Sequence, residues 1–254
     1  MKKILVPSLI ALAIGSLSSV AQAQTAPAPA AAPAAPESTL AFNAGVVSEY
    51  RYRGISQSRL DPALQGGIDY TDKSGFYIGT WGSSIKWIKD AHGDGNVELD
   101  IYGGYKTTVG DVTYDLGFLR YEYPSNKLSP SANTNEFYGA VTYGVYTAKY
   151  SHAVSNLFGF TGSKNSGYLD LSAAFDLGDG YSLTPHVGHQ TVKGAGNGIY
   201  SYTDYALTLG KDLGNGLSAT GAVIGTNAKS GSYVSPAGKD LGKSGLVVGL
   251  KYTF

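Results

Sequence analysis

The sequence predicts an all-β protein, an antiparallel transmembrane β-barrel of about twelve strands. From Leu40 onward, runs of about ten residues alternate apolar and polar side chains, which is the period of a strand with two different faces. The connections between these runs alternate between long and short. The composition, with 35 glycines, 20 tyrosines and only 15% charged residues, suits bending strands with aromatic ends better than a helical bundle.

The N-terminus has the pattern of a signal peptide at residues 1–23. Lys2 and Lys3 precede an apolar core at Ile4–Leu17, and Ala21-Gln22-Ala23 is a small-residue cleavage site. The core is short for an uncleaved membrane anchor. Residues 24–38 are mostly alanine and proline, so we predict a disordered, extended periplasmic linker. The barrel is then predicted to occupy residues 39–254.

Charge and cysteine content set limits on location and partners. The formal net charge is zero, and removal of the two N-terminal lysines leaves 17 basic against 19 acidic residues, so nothing suggests a nucleic-acid partner. The absence of cysteine is compatible with an oxidising compartment. After cleavage near Ala23, the predicted location is the outer membrane of a Gram-negative bacterium. The predicted partners are outer-membrane lipid and the barrel assembly machinery.

Twelve runs are candidate strands. In most of them one face is apolar, although Gly75–Ser84 is apolar on both faces and its orientation stays open. The predicted strands are Ala41–Arg53, Ala63–Thr71, Gly75–Ser84, Val97–Lys106, Asp111–Tyr121, Asn135–Tyr143, Val145–Ala153, Tyr168–Leu177, Tyr181–Thr191, Thr203–Leu213, Leu217–Thr226 and Gly245–Phe254.

Six long and five short connections join these runs. An even-stranded barrel with both termini on one side of the membrane has this count. The short connections are Thr71–Gly75, Thr107–Gly110, Gly144, Gly178–Gly180 and Gly214–Gly216. The long ones are Gly54–Pro62, Ile85–Asn96, Glu122–Thr134, Val154–Gly167, Val192–Tyr202 and Asn227–Ser244.

Lipid offers no hydrogen bonds to a backbone, so strands cross it only as a closed sheet. The apolar face is therefore predicted to point outward, and the polar face, rich in Ser, Thr, Asn and Gly, to point inward. Aromatic residues at both strand ends predict two interfacial girdles. Those near short turns are Tyr70, Tyr143, Tyr146, Phe175 and Tyr181, and those near long loops are Tyr52, Tyr121, Tyr150 and Tyr168.

Four blocks in close succession carry a family resemblance. They are SEYRYRGISQS (Ser48–Ser58), DPALQGGIDY (Asp61–Tyr70), SGFYIGTWGS (Ser74–Ser83) and ELDIYGGY (Glu98–Tyr105). This succession resembles the TorF family of bacterial outer-membrane proteins, which are classed as porins by their architecture. The resemblance implies an outer-membrane barrel and a pore, and it brings neither a known substrate nor a catalytic residue. The Ala/Pro linker is not part of the family pattern.

The chain ends in a strand with a terminal aromatic residue. Tyr252 and Phe254 resemble the recognition signal that barrel assembly machinery reads, so we predict that role for them.

Charges on the predicted inner face are the main functional candidates. Eight acidic against four basic residues would favour cations modestly in a water-filled pore. The same charges could instead pair across strands and stiffen an occluded barrel, and twelve strands lie between a side-chain-filled barrel and an open porin. The candidates are Glu49, Arg51, Arg53, Asp69, Glu98, Asp100, Asp115, Glu136, Lys149, Asp170, Asp204 and Lys251.

Two smaller groups could contact a solute. Glu49, Arg51 and Arg53 are consecutive inward positions of the first predicted strand, and with Gln57, Ser58, Arg59 and Asp61 they could form a constriction or simply an ion-pair ladder. Trp81, Trp87, Phe158 and Phe160 lie near long loops and could stack on a sugar or pack the loops.

The sequence offers little for catalysis, and we predict no enzyme, no cofactor and no metal site. His186 and His189 are three apart, so on a strand they face opposite ways and cannot share a ligand. His152 with Ser155 is too slender for a catalytic dyad. The main hypothesis is a porin or narrow channel for passive diffusion of a small, unidentified solute. The alternatives are an adhesive or structural barrel that binds partners through its long loops, and a lipid-modifying barrel enzyme.

Overall fold

The computed structural model of the protein describes residues 38–254. The predicted signal peptide at 1–23, and all but the last residue of the predicted linker at 24–38, lie outside the described residues. Within residues 38–254, no helix has the length and apolar character needed to cross a membrane.

The described residues form one closed antiparallel barrel. Its strands include Thr39–Val47 (β1), Arg51–Tyr52 (β2), Ile55–Ser56 (β3), Ala63–Thr71 (β4), Phe76–Ser84 (β5), Val97–Val109 (β6), Val112–Glu122 (β7) and Thr134–Tyr143 (β8). They continue with Tyr146–Ala153 (β9), Gly167–Ala173 (β10), Phe175–Gly178 (β11), Tyr181–Thr191 (β12), Tyr202–Gly214 (β13), Leu217–Thr226 (β14) and Gly245–Thr253 (β15). A four-residue helix (Trp87–Asp90) and a 3-10 turn (Asn197–Tyr200) lie in long loops.

Pairing closes the barrel without an edge. Each wall strand pairs with its chain neighbours, and β10 and β11 are consecutive parts of one strand that pairs with β12, so the described chain has twelve wall strands. The first and last strands close the sheet in the register Asn43↔Thr253 to Val47↔Gly249. Phe42 and Phe254 exchange backbone hydrogen bonds of 2.9 and 3.0 Å, and their rings stack. The predicted fold is confirmed.

Five tight turns lie at one end of the barrel, hereafter the turn end, and six long loops at the other, the loop end. At Asp179-Gly180 and Asn215-Gly216 both residues have positive φ, between 51° and 82°. Two-residue turns of this kind match the right-handed twist of the strands that they join. Glycine or a short polar residue is needed there, which is why these turns could be read from the sequence.

The outer face is apolar along its height. Leu64, Ile78 and Leu246 expose 70%, 60% and 67% of their surface, while their sequence neighbours point into the barrel. An exposed apolar band of this extent would not be stable in water, and it suits a lipid environment. The predicted orientation, apolar side out, is therefore correct, and it also resolves β5, where Tyr77, Trp81 and Ser83 point inward.

Two predictions about strand ends are wrong. The first predicted strand, Ala41–Arg53, ends at Val47, because the chain leaves the wall there and turns into the barrel. The girdle predicted at the loop end also fails for Tyr52, Tyr121 and Tyr168, which lie inside, and only Tyr150 faces outward. Tyr121 and Tyr168 fall on the inner face by the alternation of their wall strands, and Tyr52 lies inside because it belongs to the segment that leaves the wall. The girdle at the turn end is present as predicted.

Candidate functional site: the barrel interior and its loop-end cavity

A short hairpin fills the interior near the loop end. We define it as Glu49–Ser56, the inserted hairpin, in which β2 pairs with β3 through Arg51↔Ser56 and Tyr52↔Ile55. Arg53 and Gly54 form its two-residue turn with φ of 47° and 79°. A Cβ atom on Gly54 would lie 2.6 Å from Cγ2 of Thr226. Only glycine therefore allows both this turn and its approach to the wall.

The tip of the hairpin reaches the far side of the barrel. The Arg53 guanidinium donates hydrogen bonds of 2.8 Å to Glu136 on β8 and 2.6 Å to Gln190 on β12. These strands are five and four positions from β1 in opposite directions around the wall. The guanidinium also lies 4.3 Å from the centre of the Tyr168 ring. Planar, multidentate contact of this kind suits arginine and not lysine.

Further hydrogen bonds fix the rest of the hairpin. The Tyr50 hydroxyl donates to Glu98 at 2.7 Å, and the Tyr52 and Tyr121 hydroxyls are 2.5 Å apart. Arg51 bridges Glu49 at 2.8 Å and the backbone oxygen of Lys243 at 2.7 Å. The hairpin is thus held mainly by polar contacts, to β6, β7 and the last loop as well as to β8 and β12.

Tyrosine–glycine pairs explain much of the unusual composition. Gly79 faces Tyr102, Gly117 faces Tyr138 and Gly104 faces Tyr77 across neighbouring strands. In each pair the tyrosine ring occupies the space that a Cβ on the glycine would need. The rings therefore lie along the wall over the glycine backbone, a packing known to compensate glycine in strands.

These inner tyrosines hold carboxylates. Tyr102 donates to Asp69, and Tyr77 donates to Asp115 at 2.6 Å while also contacting Tyr138. Tyr168 donates to Asp204 at 3.0 Å. A carboxylate that accepts only a neutral donor keeps its negative charge, whereas Asp115 also lies 3.8 Å from the Lys106 ammonium.

All twelve predicted inner charges lie inside the barrel, buried or half-buried. Nine sit on wall strands, as the alternation predicts. Glu49, Arg51 and Arg53 are different, because they belong to the inserted hairpin and not to the wall. Whether the twelve line a conducting pore stays a prediction.

Above the hairpin is a cavity of about 490 Å³. We call it the loop-end cavity. Every long loop contributes an aromatic residue to its lining: Tyr52, Trp87, Tyr123, Phe158, Tyr200 and Tyr233, joined by Phe160 and Tyr202. Trp87, Phe158 and Phe160 were predicted to stack on a sugar or pack the loops, and they line this cavity. Trp81 does not, because it lies deeper against Tyr50, with ring centres 5.4 Å apart.

A second, smaller cavity of about 40 Å³ lies towards the turn end, lined by polar groups such as Asn43, Gln65 and Lys251. The two cavities share no lining residue. Between them lie the inserted hairpin and its partners, with Tyr50 fully buried and Arg51 only 2% exposed. The layer between the two cavities is therefore filled, whereas the inner faces near the turn end carry half-buried small polar residues.

The layer around the hairpin is incompletely satisfied. Among the described residues, buried polar atoms without a hydrogen-bond partner in the protein include Glu49 Oε2, Arg51 Nε, Asp100 Oδ1 and Glu136 Oε1. In a polar interior such atoms are the expected partners of bound water.

Sequence reasoning missed His186 and Gln190 as part of this layer. His186 lies 3.0 Å from Asp170 and 3.2 Å from the Tyr168 hydroxyl, while His189 faces outward and contacts Thr203. The inward alternation of β12 already put His186 and Gln190 on the polar face, but the partners of His186 lie on the paired strand β10, and Gln190 is bound by Arg53 of the inserted hairpin. Across residues 38–254, no group of three His, Cys, Asp or Glu side chains is arranged to hold a metal ion.

Sequence comparison places the chain in a family. The profile of the bacterial proteins of unknown function called Gcw_chp matches residues 30–254. The chain belongs to the Gcw_chp family. No protein of curated function matches its sequence significantly.

Solved structures show which barrels it is similar to. A KdgM porin superposes with a TM-score of 0.54 at 8% identity, covering 85% of this chain and 99% of that one. A NanC porin gives a TM-score of 0.53 at 10% identity, with the same two shares covered. At these identities the similarity establishes the fold, that of small outer-membrane porins.

Proposed function

We propose that this member of the Gcw_chp family is a narrow outer-membrane channel for passive diffusion of small solutes, with the inserted hairpin as its constriction. The observation that carries the proposal is a closed barrel, apolar outside and polar inside, whose interior is narrowed by a polar hairpin and has no continuous apolar core. A barrel that served only as an anchor would gain more stability from an apolar filling. The resemblance to TorF porins supports the same conclusion.

The orientation of the barrel in the membrane follows from the position of the two described ends of the chain. Both described ends of the chain lie at the turn end, so we place the turns in the periplasm and the long loops at the cell surface. The apolar band then contacts outer-membrane lipid. Tyr252 and Phe254, exposed on the outer face of the last strand, are the proposed signal for the assembly machinery.

The interior charges suggest which solutes pass. The predicted interior charges, eight acidic against four basic, keep an acidic excess when the inward Lys106 is added, and this disfavours anions. The tyrosine-held carboxylates Asp69 and Asp115 face the turn end. One KdgM structure was determined with disordered oligogalacturonate, an acidic oligosaccharide. We do not expect such a polyanion to pass here, so we propose a neutral or cationic solute and a weak cation preference.

Conductance in a planar lipid bilayer tests the proposal. We expect small, discrete conductance steps from the wild-type barrel. A variant in which Tyr50–Gln57 is replaced by a short Gly-Ser linker should conduct several-fold better, because the constriction is gone. Arg53→Met combined with Glu136→Gln, which keeps the chain length and leaves no unpaired charge at the hairpin tip, serves as the second variant if the linker variant fails to fold.

Two results would contradict this function. A folded wild-type barrel without conductance steps, together with an equally silent linker variant, would show that the lumen is closed below the hairpin. Equal conductance of the wild type and both variants would show that the hairpin is not the constriction.

A further inference from the structure

The aromatic residues of the loop-end cavity form two separate walls. Tyr52, Trp87, Tyr123 and Phe158 make one wall, with ring centres 5.0 to 6.4 Å apart. Phe160, Tyr200, Tyr202 and Tyr233 make the other, at 4.5 to 5.8 Å. Within residues 38–254 no ring contact joins the two walls, so the rings line the cavity as two separate groups.

Most polar side chains of the lining are already committed to the protein, and the exception is the Trp87 indole N–H, which has no hydrogen-bond partner among the described residues. The Gln190 amide bonds to Arg53, Gly167 and Thr191. Asp90 accepts two hydrogen bonds from Arg59, and Gln57 donates to the Ile55 carbonyl. A sugar needs several directional partners in addition to stacking, and few are left here. The lining therefore favours a ligand that binds through aromatic faces.

Charge selects among such ligands. The lining contains one charged residue, Asp90, which is paired with Arg59, and no lysine, arginine or histidine. Beneath the first wall are buried carboxylates, with Glu98 bonded to Tyr50 and Glu136 bonded to Tyr121. Glu136 and Arg53 neutralise each other, and the Arg53 guanidinium lies 4.7 Å from the centre of the Tyr52 ring, so the attraction for a further cation comes from Glu98 and from the rings other than Tyr52. Aromatic faces attract cations through their quadrupole, and surrounding carboxylates add to that attraction.

We propose that the loop-end cavity is a binding site for a small organic cation, of the aryl or quaternary ammonium class, held between the two aromatic walls. This inference rests on the proposed channel in one respect: it makes the cavity the place where a cationic solute is captured before it passes the hairpin. Its volume, about 490 Å³, is within the range of ordinary small-molecule sites.

Tryptophan fluorescence reports on this site directly. The chain has two tryptophans, so Trp81→Phe leaves Trp87, in the first wall, as the single reporter. The folded barrel in detergent micelles is titrated with benzyltrimethylammonium, benzyl alcohol, phenylacetate and methyl glucoside at matched ionic strength. We expect a saturable change with the cation at about tenfold lower concentration than with benzyl alcohol, and none with phenylacetate.

Substitutions in the second wall test whether the fluorescence change of Trp87 reports binding in the loop-end cavity. Tyr233→Ala and Phe160→Ala should each weaken cation binding several-fold without touching the reporter. Tyr150→Ala is the matched control, since this tyrosine is half exposed on the outer face and does not line the cavity. The control should bind as the parent does.

The possible failures are distinguishable. Equal affinity for benzyltrimethylammonium and benzyl alcohol, or saturable binding of methyl glucoside alone, would overturn the cation site. So would unchanged binding in Tyr233→Ala and Phe160→Ala. Conductance steps without cation binding would leave the channel standing and remove this site. Cation binding by a barrel that never conducts would leave the site standing and remove the channel.

Discussion

The two halves of the barrel interior satisfy their polar groups in different ways. At the loop end, a hairpin from one side of the barrel carries Arg53 across to Glu136 and Gln190, and the layer is closely filled. At the turn end, carboxylates such as Asp69 accept hydrogen bonds from tyrosines lying on the wall, and space remains between the strands. The same alternation puts polar side chains inside along the whole barrel, yet only the loop end is blocked.

Because of this difference, substitutions at the two ends should affect different properties of the barrel, namely its stability and its permeation. Polar groups buried by the hairpin depend on each other, so loss of one partner leaves a charge without compensation. Polar groups at the turn end keep access to water, which replaces a lost partner at little cost. We therefore expect stability to be sensitive at the loop end and selectivity to be sensitive at the turn end.

The largest expected effect comes from Arg53→Met. It leaves Glu136 buried without its cation, which should cost about 3–5 kcal/mol in the free energy of unfolding. Urea unfolding in lipid vesicles measures this. Adding Glu136→Gln should recover part of the loss. Lys251→Met, at the half-buried turn end, is the control and should cost about 1 kcal/mol or less. Equal losses at the two sites would remove the distinction between the halves.

Two glycine substitutions compare the turns themselves. Gly54 and Gly144 both have positive φ, but a Cβ on Gly54 meets Thr226 and Asp204, whereas one on Gly144 meets nothing within 4 Å. Alanine at Gly144 should lower the free energy of unfolding by about 1–2 kcal/mol, which is the cost of placing a residue with a Cβ in the left-handed conformation. Alanine at Gly54 adds a clash of about 1–3 kcal/mol and should increase conductance by displacing the hairpin.

Unfolding midpoints and single-channel recordings of the two alanine variants decide this comparison. If both lose the same stability and conduct alike, the hairpin tip does not pack against the wall as described.

The cation-to-anion selectivity should be sensitive to substitution of charged residues at the turn end. Asp69→Asn removes a carboxylate facing the open half and should lower the cation-to-anion permeability ratio by about twofold, whereas Lys251→Gln should raise it. Reversal potentials in a salt gradient measure both changes, and raising the ionic strength should diminish them. The same direction of change in both variants would argue against charge as the cause.

The smallest expected effect concerns Asp72 in the first turn. Hydrogen bonds from the side chain and backbone of Ser74, and from Ser38, lower the pKa of this exposed carboxyl from 3.8 to about 2. Because the pKa is lower in the folded state, its contribution to stability is present above pH 4 and is lost as the pH falls towards 2. Asp72→Asn should make unfolding less pH-dependent in that window. An unchanged pH dependence would show that the turn does not hold the carboxylate.

Much of the interior could be predicted without the structure, because alternation is a local property. Asp69, Glu98 and Asp170 each follow an outward apolar residue, so their direction is fixed once the face of the strand is known. The hairpin could not be predicted in this way. Glu49, Arg51 and Arg53 alternate with tyrosines as a wall strand would, and Arg-Gly is not among the strong hairpin signals.

The sequence by itself determined the barrel, its strand count and the side that faces lipid, because those follow from a two-residue period and from turns that need glycine. Only the tertiary structure decided what fills the barrel. The partners of Arg53 are 83 and 137 residues away along the chain, and the loop-end cavity takes an aromatic residue from each of six loops. Such contacts depend on closure of the whole sheet, which brings together residues that no local pattern relates.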